Sequence, residues 1–196
     1  MPKDWRDLTY LLQGTATQRA AYDALEMLQV FSLLRAFDPV LVGTIPLDID
    51  IPGSDLDIVC HAAMVDAFAR RLRDCFGHCD RFVLRQKMCN GLPTVIGRFA
   101  YQGFPVEIFG QPCPVARQHA FRHMLVEERL LRQGGEEVRR QIRRLKAQGL
   151  KTEPAFAAVF ALEGDPYHTL LRLAETAEGT HLWRRNNKSI PWSEGE

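Results

Sequence analysis

Two aspartates separated by a single residue, Asp55 and Asp57, have a side-chain type and a spacing that could support ligand binding or catalysis. Apolar residues at Leu56 and Ile58 predict a β-strand through this segment. Because side chains alternate between the two faces of a strand, both aspartates would point away from the core together. Two ionised carboxylates on one face repel each other, and their hard oxygen atoms are ligands that suit Mg²⁺. The pair therefore predicts a site for a divalent cation.

A glycine and a hydroxyl residue, Gly43 and Thr44, precede the aspartates and end a predicted buried strand over Val40–Gly43. Glycine allows the backbone to approach a ligand closely, and exposed N–H groups in such a turn can hold phosphate oxygens. Ser54 supplies a second hydroxyl at the far end of the intervening loop. Gly43, Thr44 and Ser54 together form the predicted phosphate-binding group.

Other interpretations of the same segment explain less of it. A calcium loop starting at Asp48 would place Pro52 at its fifth position and Val59 where a bidentate Glu is required. A hairpin turn accounts for Pro52-Gly53, but not for two acids on one face of a strand. A solvated strand face remains the open alternative to a cation site.

The composition suits one domain, or one small domain with a helical extension, because 46% of the 196 residues are hydrophobic. Lys and Arg number 25 against 24 for Asp and Glu, so the net charge of +1 gives no argument for a nucleic-acid or membrane partner. The sequence has no targeting pattern or bilayer-spanning segment, which predicts a cytoplasmic protein. Cys75, His78 and Cys79 lie close enough for zinc, but no second ligand pair follows, so reduced, packed thiols are preferred.

Hydrophobic periodicity predicts an α/β (α+β) fold, with a mixed sheet, flanking helices and a helical C-terminal half. The predicted core with its N-terminal helices covers residues 1–110, and the helical region covers residues 111–196. Thr15 and Gln18 form a capping box that would open a helix reaching Phe37. Further helices are predicted over residues 4–12, 62–76, 116–131 and 136–148, and after caps at Thr152 and Asp165. Strands are predicted over residues 40–43, 56–59, 81–87, 93–101 and 104–109, and residues 186–196 are expected to be loosely held.

The last predicted strand follows a two-residue turn at Gln102-Gly103 and carries an acid between two apolar residues. Because Val106 and Ile108 share one face, Glu107 would lie on the other. An exposed acid on an edge strand is one interpretation of Glu107. The other is a third cation ligand beside the two aspartates.

Five segments resemble those of a bacterial family of unassigned function: LVGTIP, IPGSDLDIVC, VEIFGQPCPV, FRHMLVEERLL and GLKTEPAFA. That family is grouped with the nucleotidyltransferase-fold superfamily of polymerase beta, and the resemblance runs from about Trp5 to Leu173. The superfamily signature is similar to the order seen here, a Gly-hydroxyl turn followed by Asp-x-Asp. Thr44 departs from the more usual Ser or Gly of that signature, and Glu107 departs from the more frequent Asp.

The resemblance implies that Gly43 and Thr44 face a triphosphate, that Asp55 and Asp57 bind two metal ions, and that Glu107 binds the catalytic one. It implies an enzyme that uses Mg²⁺ (or Mn²⁺) to move an NMP group from an NTP to an unidentified hydroxyl acceptor. The alternative is a catalytically inactive nucleotide-binding or protein-partner module of the same fold, or a toxin–antitoxin component.

Several basic residues of the helical half are candidates for stabilising phosphate charge, and each is equally consistent with a surface or packing role. These candidates are Lys151, Arg122, His123 and Arg117. A basic run on the helix after Gly135 favours a solvated face, with a phosphate- or RNA-facing surface as the alternative; its members are Arg139, Arg140, Arg143, Arg144 and Lys146. Aromatic residues do not interleave with that run, which argues against nucleic acid.

Overall fold

The computed structural model of the protein describes residues 3–175, so the predicted loose segment 186–196 lies outside the described residues. The chain divides into two compact units, Met1–Phe121 and Arg122–Glu196. The predicted division of the chain after residue 110 stays a prediction. No helix of the described part is long and apolar enough to cross a membrane.

A five-stranded mixed sheet forms the centre of the first unit, in the order β1-β2-β5-β4-β3. Its strands are β1 (Val40–Val42), β2 (Leu56–His61), β3 (Asp80–Cys89), β4 (Leu92–Tyr101) and β5 (Phe104–Gln111). β2 and β5 are parallel, and the other neighbouring strands are antiparallel. The predicted mixed sheet with flanking helices is confirmed.

Six α-helices are described. They are α1 (Ala16–Leu28), α2 (Val30–Leu33), α3 (Val65–Phe76), α4 (His119–Ala147), α5 (Thr152–Phe160) and α6 (Pro166–Glu175). Short 3₁₀ turns cover Leu8–Gln13, Arg35–Phe37 and Val115–Arg117. The helix predicted from residue 116 was wrong at its start, because Gln118 is extended and α4 begins after it.

One face of the sheet packs into the hydrophobic core. The buried side chains of Leu56 and Ile58 on β2 and of Ile108 on β5 belong to the same cluster as Phe68 and other residues of α3. A Cβ on Gly110 would lie 2.2 Å from a ring carbon of Phe68, so glycine is required where α3 crosses β5. The strands therefore present their other face, which carries Asp57 and Glu107, away from α3.

The capping box that opens α1 is confirmed, with Thr15 Oγ1 accepting from the Gln18 backbone and Gln18 Oε1 accepting from the Thr15 backbone. The predicted continuation to Phe37 was wrong. Gln29 has a left-handed backbone with φ of 53°, and its N–H bonds back to the Glu26 carbonyl, which ends the helix. The chain then restarts as the short helix α2.

Two tight turns join β3, β4 and β5. The Gln102-Gly103 turn is confirmed, and Asn90-Gly91 forms a second turn of the same kind. Both residues of each turn have positive φ, the geometry that matches the twist of antiparallel strands. Because Asn90-Gly91 closes so tightly, β3 and β4 are longer than the predicted strands.

The predicted break between two helices near Gly135 is confirmed. α4 runs through that position with Gly135 at φ of 63° and ψ of −153°, which is not helical geometry. Asp165 accepts from the His168 backbone and so caps α6, as predicted. Thr152 was predicted to cap α5, but Lys151 occupies the cap position, without a side-chain hydrogen bond.

Candidate functional site

Register across the sheet brings the third predicted carboxylate beside the first pair. Asp57 on β2 and Glu107 on β5 are direct Cα partners in the parallel pair. Neighbours at one register position point to the same face of a sheet, so their side chains project together. Asp55 precedes β2 by one residue and shares that face by alternation. Asp55 is exposed, while Asp57 and Glu107 are partly buried.

The Gly43 turn lies directly against the Asp57 carboxylate. Gly43 has φ of +85°, and a Cβ placed on it would lie 2.6 Å from Asp57 Oδ2. Glycine is therefore needed for the backbone conformation and also for the close approach. The turn and the acid, well separated in sequence, form one continuous surface.

The two predicted hydroxyls also meet. Thr44 Oγ1 lies 3.5 Å from Ser54 Oγ, and Ser54 Oγ accepts a hydrogen bond of 3.0 Å from the Ile51 backbone. The loop between them is fixed at its start, because Gln18 Nε2 of α1 donates to the Ile45 carbonyl at 2.8 Å. The structure thus brings Gly43, Thr44 and Ser54 to the strand end that carries the aspartates.

Glu107 forms an ion pair that the sequence analysis missed. Arg98 on β4 is the Cα partner of Glu107 in the antiparallel pair, and its Nε donates to Glu107 Oε2 in an ion pair. The Gln102-Gly103 turn was the available signal. A two-residue turn pairs Tyr101 with Phe104, and counting outward from it brings Arg98 opposite Glu107.

The acidic residues fit a divalent cation in part. Their oxygen atoms are suitable donors, and the two aspartates share a face next to Glu107. The Glu107 carboxylate, however, is paired with Arg98. Within residues 3–175, no group of three or more His, Cys, Asp or Glu side chains is close enough to hold a metal ion. The cation site at Asp55, Asp57 and Glu107 therefore stays a prediction.

The remaining predicted residues have partners of their own or lie at exposed positions. Arg122 belongs to the second unit, where its Nη2 donates to Glu175 at 2.8 Å and to the Leu171 carbonyl at 3.3 Å. Lys151 of the same unit is exposed at the start of α5, and Arg117 of the first unit is exposed in a 3₁₀ turn. The phosphate-binding roles of Arg122 and Lys151 stay predictions.

The second unit contains a buried polar cluster that the sequence analysis did not identify. His123 faces Glu153 through Nδ1 at 3.3 Å, and its Nε2 lies 3.0 Å from the Tyr167 carbonyl. Glu127 and Lys146 are also buried, with 3% and 8% of their surface exposed. Lys146 therefore does not belong to the solvated face predicted for the basic run. The spacing of His123 and Glu127, one helical turn apart, was the signal for this cluster.

The pKa values of the two carboxyl groups in this polar cluster are shifted in opposite directions. Burial raises the pKa of Glu127 to about 8, with the Glu153 carboxylate adding to the rise and Lys146 opposing it. Burial is the largest single effect on Glu153 and acts to raise its pKa. The hydrogen bond from His123, a backbone hydrogen bond and the charges of His123 and Lys151 together outweigh burial and leave that pKa below its usual value. Glu127 Oε1 has no hydrogen-bond partner among the described residues, which adds to the cost of ionising it.

Several solved structures are similar in fold to this chain, among them a poly(U) polymerase and an RNA terminal U-transferase. The Cid1 poly(U) polymerase with MgGTP matches with a TM-score of 0.52 and 12% identity, over 79% of this chain and 48% of that chain. A cytoplasmic RNA terminal U-transferase matches with a TM-score of 0.52 and 12% identity, over 81% of this chain and 48% of that one. GLD-2 in its complex with RNP-8 matches with a TM-score of 0.52 and 11% identity, over 97% and 79%.

These likenesses show the fold, which is the predicted nucleotidyltransferase fold. The chain spans about half the length of the Cid1 structures that it matches. No curated protein matches the sequence. The sequence profile described as "Domain of unknown function (DUF4269)" matches residues 23–173, and the chain belongs to that family.

Proposed function

We propose that this DUF4269 protein is a metal-dependent nucleotidyltransferase that moves an NMP group from an NTP to a hydroxyl acceptor. One observation carries the proposal: Asp57 and Glu107 are in-register neighbours on parallel strands, beside the Gly43 turn that lies against Asp57. Acidic side chains next to a backbone turn that can hold phosphate oxygens suit the binding of a metal–triphosphate. The fold shared with Cid1 and GLD-2 supports this chemistry as a class.

Asp55 and Asp57 would hold Mg²⁺ or Mn²⁺, and Glu107 would complete the site. When bound, the cations neutralise triphosphate charge and favour loss of the proton from the acceptor hydroxyl. The chain's own residues position the substrates. Gly43 and Thr44 offer backbone and hydroxyl donors to phosphate oxygens, and the Ser54 hydroxyl lies beside Thr44.

A nucleotide-binding module without turnover is the second candidate, because one observation favours it. The carboxylate predicted to complete the metal site is held by Arg98. If that ion pair persisted with nucleotide present, the Asp pair and the Gly43 turn would still bind a metal–triphosphate. The chain would then be stabilised by nucleotide without releasing pyrophosphate.

Replacing Asp57 with Asn tests the proposal. The wild-type protein, supplied with each NTP and Mg²⁺ or Mn²⁺, should release pyrophosphate in the presence of a hydroxyl acceptor, and Asp57→Asn should lose at least about 99% of that rate. Asp66→Asn is the matched control, because Asp66 is exposed on α3, which packs against the other face of the sheet. Undiminished pyrophosphate release by folded Asp57→Asn protein would refute the assignment.

A further inference from the structure

Arg98 neutralises the carboxylate that stands next to Asp57. The register places Asp57, Glu107 and Arg98 in one row across β2, β5 and β4. The Glu107 side chain is 23% exposed and the Arg98 side chain is 59% exposed. An ion pair with so much exposure contributes little net stability, so its partners can be exchanged at low cost.

The position of Arg98 matters more than its contribution to stability. Two acids at neighbouring register positions repel each other when both are ionised, and a counter-charge removes that repulsion. In this structure the counter-charge for Glu107 comes from the guanidinium of Arg98. A divalent cation held by Asp55 and Asp57 would supply the same counter-charge from the other side of Glu107.

We propose that Arg98 is a positioning residue that holds Glu107 until a cation takes the carboxylate from it, and that the released guanidinium then binds a phosphate group of the nucleotide. This inference rests on the proposed function and adds a residue to its site. The exchange moves one charged contact and breaks no covalent bond. Guanidinium groups suit the second role, because their N–H donors match phosphate oxygens in pairs.

Mn²⁺ binding to four proteins tests the first half of this inference. Free Mn²⁺ would be measured by electron paramagnetic resonance for wild type, Arg98→Gln, Glu107→Gln and the double variant. Removing Arg98 should raise Mn²⁺ affinity roughly fivefold when Glu107 is present, and much less when Glu107 is replaced. The dependence on Glu107 is the essential result, because plain charge repulsion would raise affinity equally in both backgrounds.

Two matched variants serve as controls. Asp57→Asn should lose Mn²⁺ binding, which assigns the ion to the carboxylates. Arg85→Gln removes the same charge from the neighbouring strand β3, where Arg85 is paired in register with Ile96 rather than with Glu107. It should raise Mn²⁺ affinity less than Arg98→Gln does. Equal gains with and without Glu107, or no Mn²⁺ binding by wild type and Arg98→Gln, would overturn the exchange.

Inorganic tripolyphosphate with saturating Mg²⁺ tests the second half. Arg98→Gln should weaken tripolyphosphate binding about tenfold although it strengthens binding of the free cation, and Arg85→Gln should not. Unchanged or tighter binding by Arg98→Gln would overturn the phosphate role. Neither measurement depends on turnover. If the variants show the expected Mn²⁺ affinities but the wild-type protein releases no pyrophosphate, only the proposed transfer reaction is rejected. If the protein is active but the Mn²⁺ affinities differ from those expected, only the role of Arg98 is rejected.

Discussion

The two units of this protein hold their carboxylates in opposite environments. In the first unit, Asp55 is exposed, and Asp57 and Glu107 are partly buried. In the second unit, Glu127 is 3% exposed and shares its surroundings with Glu153. The first set keeps its oxygen atoms within reach of solvent and of ligands. Glu127, by contrast, has only the protein itself for partners.

This difference separates acids suited to binding from acids suited to structure. A carboxylate near solvent can exchange one partner for another, because hydration by water replaces part of the electrostatic interaction that is lost in the exchange. A buried carboxylate without enough partners avoids ionisation instead, and the raised pKa of Glu127 reflects that cost. We therefore expect substitutions in the first unit to alter ligand binding, and substitutions in the buried polar cluster to alter stability and its dependence on pH.

The largest effect on stability is expected at Glu127. Its folded-state pKa of about 8 lies above its unfolded-state value of 4.5, so the folded protein holds the proton that the unfolded chain releases. Its contribution to the free energy of unfolding should therefore fall as pH rises from 4.5 to about 8, with a slope of at most about 1.4 kcal/mol per pH unit. Urea denaturation at several pH values should show that this fall is absent in Glu127→Gln.

The neighbouring residue supplies the control for that experiment. Glu128→Gln removes a carboxylate from the same helix, but Glu128 is paired with Arg132, whose side chain is 62% exposed. This variant should keep the wild-type slope of stability against pH. A wild-type slope in Glu127→Gln would show that the buried polar cluster does not carry this pH dependence.

Alanine substitutions at two glycines should have an effect on stability between those expected at Glu127 and at Asp55. The same pair separates an effect on stability from an effect on Mn²⁺ binding. Gly43 and Gly53 have nearly equal φ values of +85° and +86°, so alanine at either position should cost about 1 kcal/mol of stability. Only alanine at Gly43 would meet Asp57 Oδ2, whereas a Cβ at Gly53 has nothing within 4 Å. Gly43→Ala should therefore displace the carboxylate and weaken Mn²⁺ binding, and Gly53→Ala should not. Equal Mn²⁺ affinities in the two variants would show that Gly43 does not position Asp57.

The smallest effect on stability is expected at Asp55. Because Asp55 is exposed, Asp55→Asn should leave the urea midpoint unchanged within error while it weakens Mn²⁺ binding at least about tenfold. Glu127→Gln should show the reverse, with an altered stability profile and unchanged Mn²⁺ affinity. A large loss of stability in Asp55→Asn would erase the distinction between the two sets of carboxylates.

Part of the site follows from local rules that the sequence contains. Alternation along β2 puts Asp55 and Asp57 on one face. The apolar residues Leu56 and Ile58 are enough to predict this from the sequence. The Gln102-Gly103 turn fixes the pairing of β4 with β5, so the contact between Arg98 and Glu107 was also within reach of the sequence. The same rules failed at Gln29, where a residue without special backbone preferences adopts a left-handed conformation and ends α1.

The sequence by itself determined the strand faces, the helix caps at Thr15 and Asp165 and the residue types that could hold a cation, because each depends on neighbours a few positions away. Only the tertiary structure decided that β2 and β5 are parallel neighbours, which makes Asp57 and Glu107 adjacent. It also decided that Gly43 lies against Asp57 and that Lys146 is buried rather than solvated. These contacts join segments distant in the chain, and their energies depend on how the whole core packs, which no local pattern records.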